Sequence, residues 1–359
     1  MNSKIFIIGA IFVIAFSSCY PTGEAPYQID ETIDSNIIAP ELDERYVLDI
    51  NYDVDYPSRL PILSCKPMNF ENVDMELLFF GDSKGTYQKE LHGKSNVLPD
   101  GDYYHLYSKG ENDDLLCYDA GQILYITKKA FSCNYSFFVN MYGTQKYKSA
   151  MKVVFPDNEI KNYSLNDSLQ KTRLLINELN LPVVNQPEVY VIDQNAVNNI
   201  DGIEEWNSEN DAYMFIYPMQ YSGISTLCTS IASSNDSYVG DISCLSVICT
   251  NNGIEYFGCR NAMEIEESND SISICSPEIA ANSVLKNYSL TVLPSNVTEA
   301  FTEGCYLAYD LKLSIQTEGQ FKLEPVWIFN EKKTLITNGT TPLPFYSLLA
   351  IDAQTGERY

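Results

Sequence analysis

The stretch CLSVICTNNGIEYFGC, residues 244–259, decides the fold because it predicts a pair of hydrogen-bonded strands. Residues 244–249 and 254–259 are runs rich in apolar, β-branched and aromatic residues and of ordinary strand length. The Asn-Asn-Gly sequence at 251–253 separates them, and these residue types accept the positive φ angles of a tight hairpin turn. We therefore expect the surrounding chain to be built on antiparallel sheet.

The cysteines of this hairpin are candidates for a disulfide. If the hairpin turns on Asn252-Gly253, Cys244 faces Asn261 and lies diagonal to Cys259. That arrangement favours a cross-strand disulfide over a metal, because a structural zinc site usually needs two closely spaced cysteine pairs. The sequence contains ten cysteines, and their spacing does not determine which of them pair. Buried reduced thiols are the alternative.

Outward from the hairpin, the chain contains two amphipathic helices. The first is capped by Asp167 or Ser168, and the second by Ser276 with Pro277 at its first position. The apolar residues that recur at helical spacing are Leu169, Leu174, Leu175, Ile176 and Leu179 in the first helix, and Ala280, Ala281, Val284 and Leu285 in the second.

Each helix is followed by strands, and each of the two helix-and-strand units ends in a Gly-containing turn with Glu and an aromatic residue. We interpret residues 166–266 and 275–359 as a duplication, two helix-on-antiparallel-sheet units. Any α+β chain can show this order, and that remains the alternative. The helices are expected to pack Leu174, Leu175, Leu179, Val284 and Leu285 against the sheet residues Phe215, Val247, Leu307 and Leu348.

Residues 46–155 form the region before these units, and their short aromatic and β-branched runs predict a mostly β domain. The overall class is therefore α+β. The expected strands of this region are Met75–Phe80, Tyr103–Tyr107, Leu115–Tyr118, Gln122–Ile126 and Ser136–Met141.

The first nineteen residues have the layout of a secretory signal. Lys4 is followed by an apolar run of about a dozen residues and then by Ser17-Ser18-Cys19. Small residues before a cysteine resemble the lipobox of bacterial lipoproteins, in which the cysteine is acylated. We predict a signal peptide at 1–18, lipidation of Cys19 and an acidic linker at 19–45.

Composition excludes some classes of partner. The formal net charge of −25 repels nucleic acid and anionic lipid headgroups. The membrane contact is therefore expected through the lipid anchor alone. Eight Asn-x-Ser/Thr triplets leave a glycosylated eukaryotic secretory protein as the alternative. The oligomeric state is not fixed by the sequence.

Two segments near the C-terminus carry a family resemblance. Residues 323–329, LEPVWIF, and 350–357, AIDAQTGE, resemble the C-terminal segment of Firmicute cell-surface lipoproteins of unknown function. They also resemble the closing strands of PepSY-type modules and of Yyc-type extracytoplasmic regulators of a sensor kinase. The resemblance spans 166–359 and implies a PepSY-like unit at 275–359, a surface location and a buried face for Trp327. It brings no catalytic residues.

Few residues point to chemistry. His92 and His105 are the only histidines, and no nucleophile or metal motif accompanies them. We therefore predict no catalytic residues, no metal and no cofactor. Glu204 and Glu205 beside Trp206 are the candidate ligand or partner contact, because an aromatic ring flanked by carboxylates suits a sugar or a polar surface.

These observations favour a non-enzymatic binding or regulatory protein. It is expected on the extracytoplasmic face of a bacterial cell membrane, lipid-anchored, with another envelope protein as its partner. One alternative is a glycan- or peptide-binding surface lipoprotein of an uptake system. A second alternative is a hydrolase that uses Glu204 and Glu205.

Overall fold

Two large β-sheets organise the chain, and helices pack on their faces. Of the described residues 47% lie in strands and 25% in helices, which confirms the predicted α+β class. The computed structural model describes residues 43–50, 54–81, 88–94, 103–108, 114–145, 148–156, 159–161, 163–200, 206–228, 243–289, 293–313, 321–336 and 343–358.

The strands of the described residues, in chain order, are β1 (Tyr46–Asp49), β2 (Arg59–Pro67), β3 (Gln88–Lys94), β4 (Tyr103–Ser108), β5 (Leu115–Asp119), β6 (Gln122–Ile126), β7 (Glu188–Ile192), β8 (Ala212–Pro218), β9 (Gln220–Tyr221), β10 (Ile224–Ser225), β11 (Cys244–Thr250), β12 (Gly253–Arg260), β13 (Met263–Ser273), β14 (Val297–Leu313), β15 (Phe321–Leu335) and β16 (Leu343–Asp352). The helices are α1 (Met75–Phe80), α2 (Lys128–Ser132), α3 (Tyr135–Gln145), α4 (Lys148–Val154), α5 (Leu165–Glu178), α6 (Gln194–Val197) and α7 (Pro277–Ser289), with a 3₁₀ turn at Ser208–Asn210. None of these helices is long and apolar enough to cross a membrane.

The order of strands joins regions that are distant in sequence. The eight-stranded sheet runs β3-β4-β5-β6-β12-β11-β8-β7, and all its neighbours are antiparallel. The six-stranded sheet runs β1-β14-β15-β2-β13, with β16 also beside β15. Only β1 and β14 are parallel within it. Both sheets thus contain strands from the predicted N-terminal domain, and Leu42–Tyr359 form one compact unit.

The two predicted helix-on-sheet units have comparable strand orders. Helix α5 is followed by β7, β8, β11 and β12, which are successive neighbours in one sheet. Helix α7 is followed by β14, β15 and β16, which are successive neighbours in the other. The duplication itself, and the domain boundaries drawn from it, stay predictions.

Helix α5 packs on the main core, but not with all the residues that we expected. Leu175 and Leu179 contact the cluster that contains Phe215 and Val247, as predicted. The expectation for Leu174 is wrong, because its side chain is 65% exposed. Its position on the helix points away from the sheet, and the inner face is completed instead by polar residues that a search for apolar periodicity overlooks. These are Ser168 and Thr172, both buried.

Helix α7 covers the six-stranded sheet, where the Trp327 ring is fully buried. The Trp327 indole nitrogen donates to the Cys275 carbonyl oxygen at 3.0 Å, which satisfies its polar group inside the core. Val284 is buried in this cluster, and Leu285 and Leu307 pack against it. Leu348 instead lies on the opposite face of the sheet, in a cluster with Leu227 and Val326, so its expected contact with the helix is wrong.

Two segments predicted as strands are helices. Residues 75–80 form α1, because the Asp74 side chain caps it by accepting from the Leu77 amide at 3.1 Å. Residues 136–141 lie within α3, whose buried Tyr135, Phe138 and Tyr142 recur at helical spacing. The first amphipathic helix is capped by Ser164 rather than by Asp167 or Ser168. The expected strands at 103–107, 115–118 and 122–126 are confirmed.

The hairpin of β11 and β12 is present, but its register differs from the predicted one. The hairpin turns on Asn251-Asn252, because Thr250 faces Gly253, and a bulge between Ile248 and Cys249 then shifts the pairing by one residue, so Cys244 faces Arg260 and Cys259 faces Leu245. Successive side chains of a strand point to opposite faces. The Cys244 and Cys259 side chains therefore lie on opposite faces of the sheet, and both thiols are free. This arrangement corrects the predicted pairing.

Candidate functional site

A polar cleft lies beside the start of β8 and the segment before α5. Its volume is about 470 Å³, which is within the range of small-molecule sites, roughly 300–1,000 Å³. The residues that line it are Glu159, Ile160, Lys161, Tyr163, Ser164, Leu165, Asn166 and Tyr213.

Two tyrosines fix the shape of the cleft. The Tyr213 hydroxyl accepts from the Ile160 amide at 2.8 Å, and the Tyr163 hydroxyl donates to the Cys249 carbonyl oxygen at 2.7 Å. Burial raises the pKa of both phenols above the ordinary tyrosine value. Both hydroxyls are therefore protonated at neutral pH and engaged with backbone groups, so they hold the cleft in place.

The rim of the cleft is polar and open to solvent. Glu159, Lys161, Ser164 and Asn166 are all exposed. Ser164 also caps α5, where its hydroxyl oxygen accepts from the Asp167 amide at 3.4 Å. A rim with both charge signs and an amide can donate and accept hydrogen bonds. Such a rim suits a polar ligand or a polar patch of a protein partner.

Trp206, a predicted contact residue, is buried in the core and does not line this cleft. Its side chain is 3% exposed and meets the rings of Tyr135 and Phe138 edge-on at 5.8 and 5.5 Å. The indole nitrogen donates to the Asp211 carboxylate at 3.2 Å. The Trp206 ring would have to leave the core to touch a ligand, and its contact role stays a prediction.

Asp211 connects this buried ring to the cleft. Its carboxylate also accepts from the Gln194 amide at 3.0 Å, and its carbonyl oxygen accepts from the Tyr163 hydroxyl at 3.2 Å. Burial raises the pKa of the Asp211 carboxyl, while the Trp206 hydrogen bond opposes that rise. The other predicted site residues, Cys19, Glu204 and Glu205, lie outside the described residues.

Two buried glutamates were missed by the sequence analysis. Glu255 is 5% exposed and accepts from the hydroxyls of Thr127 and Thr250. Glu331 is 1% exposed; one oxygen accepts from Ser347 and lies 2.8 Å from the Lys333 ammonium, and the other has no hydrogen-bond partner. The spacing of Glu331 could have indicated its burial. Trp327, Phe329 and Glu331 are every second residue of one strand, so their side chains lie on the same face of the sheet.

Among the described residues, no group of three or more His, Cys, Asp or Glu side chains could hold a metal ion. His105 lies in β4 and stacks on the Tyr118 ring at 4.7 Å. His92 lies in β3, where its backbone pairs with that of Tyr104 in the neighbouring strand β4.

Comparisons with known proteins establish a shared fold. The chain is similar to an uncharacterized protein from Eubacterium rectale whose crystal structure is known. The TM-score is 0.66 at 17% identity, over 88% of this chain and 91% of that one. This similarity shows the fold alone. No protein-family model and no curated protein sequence matches the chain.

A weaker similarity links the chain to the Bacillus megaterium YpeB C-terminal domain. It covers 79% of this chain and 91% of that domain at 14% identity, with a TM-score of 0.28. A TM-score this low carries no argument about fold, and the PepSY-like assignment of 275–359 stays a prediction.

Proposed function

We propose that this protein is a lipid-anchored binding or regulatory protein on the extracytoplasmic face of a bacterial cell membrane. It acts on another envelope protein and does not catalyse a reaction. The signal-like segment that ends at Cys19 and the acidic spacer after it support the anchor. The resemblance of the C-terminal half to PepSY-type and Yyc-type modules supports the regulatory role.

The observation that carries the binding role is the engagement of the cleft tyrosines. Tyr163 and Tyr213 use their hydroxyls to hold backbone groups, and the exposed polar side chains form only the rim. A rigid floor with a polar rim reduces the entropy that binding would cost, because little has to be ordered. The cleft is therefore suited to recognising a polar surface.

A surface glycan- or peptide-binding protein of an uptake system is the second candidate. The size of the cleft favours it, because about 470 Å³ can hold a short polar ligand. The two proposals differ in what covers the rim, an envelope protein or a small ligand.

The anchor is tested by replacing Cys19 with Ala and following membrane fractionation and incorporation of a labelled fatty acid. The variant should lose the label and move from the membrane fraction to the medium, because several acyl chains on one cysteine hold a protein firmly. Cys133→Ala is the matched control, since that half-buried cysteine lies within the folded part. A Cys19→Ala variant that remains labelled and membrane-bound would contradict the proposal.

The binding role is tested with a photo-crosslinking amino acid in place of Lys161 on the rim. The control position is Glu299, an exposed residue of β14. In intact cells, the Lys161 position should crosslink to one envelope protein, and the Glu299 position should not. A Lys161 crosslink to glycan or peptide would favour the second candidate, and equal labelling from both positions would contradict both.

A further inference from the structure

A short segment connects the two sheets between β10 and the start of β11. Thr226 forms a parallel bridge with Tyr309 of β14, and the Leu227 amide donates to the Tyr309 carbonyl oxygen at 3.2 Å. On its other side, the Leu227 carbonyl oxygen accepts from the Ser243 amide at 3.0 Å. The Thr226 hydroxyl also donates to the Ser243 carbonyl oxygen at 2.6 Å. This segment therefore links a strand of the six-stranded sheet to the entry of β11 in the eight-stranded sheet.

A cysteine follows each of the two residues that are hydrogen-bonded across this junction. Cys228 follows Leu227, and Cys244 follows Ser243. The pKa of each thiol is shifted by the other, which places the two thiols next to each other, and both are free. Disulfide formation requires the two Cα atoms within about 7 Å and side chains that point toward each other. The backbone hydrogen bond between Leu227 and Ser243 brings the two following cysteines close together, which favours that geometry.

The surroundings divide the chemical roles between the two thiols. Arg260 lies opposite Cys244 in β12. The hydrogen bond from Cys228, together with the Arg260 charge, lowers the pKa of the Cys244 thiol despite its burial. The same hydrogen bond, reinforced by burial, raises the pKa of the Cys228 thiol. Cys244 is therefore the nucleophile of the second exchange, whereas access decides the first exchange, because Cys228 is half-buried and Cys244 is buried.

Cys65, Cys117 and Cys259 lack this arrangement. Burial raises the pKa of Cys65 and of Cys117 to about 12, and both lie within strands. Cys259 is on the opposite sheet face from Cys244. These cysteines serve as internal controls for any oxidation experiment.

We propose that Cys228 and Cys244 are a modification site that forms a disulfide with a low-molecular-weight disulfide as oxidant, and that this bond fixes the segment that links the two sheets to the start of β11. The half-buried Cys228 first exchanges with the oxidant, which forms a mixed disulfide and releases one small thiol. Cys244 then attacks the Cys228 sulfur and expels the second small thiol. The two protons from the cysteines go to the two released thiols, and the oxidant takes up the two electrons.

The bond would close a loop across the fifteen residues between the two cysteines. It would make covalent the connection between this linking segment and β11, while the contact with β14 would still be held by backbone hydrogen bonds. A cross-link of this kind stabilises mainly by restricting the unfolded chain. The inference goes beyond the proposed function and does not depend on where the protein is anchored.

The test uses the purified full chain, reduced and then incubated with oxidised glutathione. Free thiols are blocked with iodoacetamide, and the digested protein is analysed by mass spectrometry. We expect one cross-linked peptide pair joining Cys228 to Cys244, with Cys65 and Cys117 alkylated. The melting temperature should rise on oxidation and return to the starting value after a reductant is added.

Single variants sharpen the result. Cys244→Ser should leave Cys228 as a stable glutathione mixed disulfide, because the resolving thiol is absent, and Cys228→Ser should leave no adduct at Cys244. Cys133→Ser is the control and should oxidise like the wild type. Persistent glutathione on Cys228 in the wild type, a bond between other cysteines, or no oxidation would overturn the proposal. The wild-type digest decides the question even if a variant fails to fold.

Discussion

The central strands of the two sheets differ in how they are buried. In the eight-stranded sheet, every residue of β11 is buried, as are the first six residues of β8. In the six-stranded sheet, β15 is buried on both faces only around residues 325–329 and alternates toward its ends. A strand covered on both faces needs a continuous apolar run, whereas a strand covered on one face alternates. The two sheets therefore follow different sequence patterns.

The sheets also differ in how they accommodate a buried carboxylate. In the eight-stranded sheet, Glu255 accepts from two threonine hydroxyls. In the six-stranded sheet, Glu331 is matched by the Lys333 ammonium and by a serine hydroxyl. A buried carboxylate is tolerated when hydrogen bonds or a cation replace its hydration. Neutral hydroxyl donors stabilise the buried carboxylate of the eight-stranded sheet. In the six-stranded sheet, an ion pair with a partly exposed lysine stabilises it.

The largest expected effect tests whether the two sheets unfold together. The chain has two tryptophans, Trp206 on one face of the eight-stranded sheet and Trp327 in the six-stranded sheet. In a Trp206→Phe background, Phe215→Ala should lower the free energy of unfolding by about 3–5 kcal/mol. Phe215 lies in a core cluster that residues of both sheets share. The urea midpoint measured by Trp327 fluorescence should therefore fall in the Phe215→Ala variant. An unchanged midpoint would show that the two sheets unfold independently.

The next effect tests the ion pair of the six-stranded sheet. Lys333→Met leaves the Glu331 carboxylate buried without its cation and should cost about 3 kcal/mol, at the low end for buried pairs. The Lys333 side chain is itself 29% exposed, which moderates the loss. Adding Glu331→Gln should restore most of the stability, because the amide oxygen can still accept from Ser347. Urea unfolding of the wild type, the single variant and the double variant measures these free energies. Equal stability of the three proteins would show that the ion pair does not contribute to stability.

A smaller effect compares two faces of helix α5 on the eight-stranded sheet. Ile176→Ala should cost about 2 kcal/mol, because this side chain is 8% exposed and packs on the core. Leu174→Ala should change stability by less than about 0.5 kcal/mol, because its side chain is already solvated. Thermal unfolding of both variants gives the comparison. Similar losses for the two would mean that the outer face of α5 is covered.

The smallest effect concerns Asp211, which burial disfavours in its charged form. Because the folded pKa is raised, the folded state binds the proton more tightly than the unfolded chain does. The stability of the wild type therefore falls as pH rises through the interval between the unfolded and folded pKa values. Asp211→Asn keeps an oxygen acceptor for Trp206 and does not titrate. The difference in stability between the variant and the wild type should therefore shift in favour of the variant as the pH rises from 3 to 7. Urea midpoints that shift in favour of the wild type over this range would contradict the prediction.

The sequence predicted elements best where one local signal dominated. The Asn-Asn-Gly turn located the hairpin of β11 and β12, and the Ser-Pro start located α7. The strand predictions for 75–80 and 136–141 are wrong, because aromatic runs suit a strand or a helix equally well by composition. In those segments the choice depended on a capping side chain and on which residues found a core to pack against.

The candidate site was much less predictable than the fold. The sequence drew attention to Trp206, yet the cleft is formed by residues 159–161, residues 163–166 and Tyr213, which no ligand-binding motif marks. These residues are brought together by two tyrosine hydroxyls that form hydrogen bonds with backbone groups far away in sequence. Spacing within a segment contains no information about such contacts.

The sequence by itself determined the α+β class, the acidic charge and the sites of the strongest turns and caps, because these follow from composition and from interactions a few residues apart. Only the tertiary structure decided the strand order, the face of each cysteine and the side chains around the cleft. A single bulge after Ile248 moved Cys244 opposite Arg260 and away from Cys259. Because side chains alternate along a strand, a shift of one residue changes every contact on both faces.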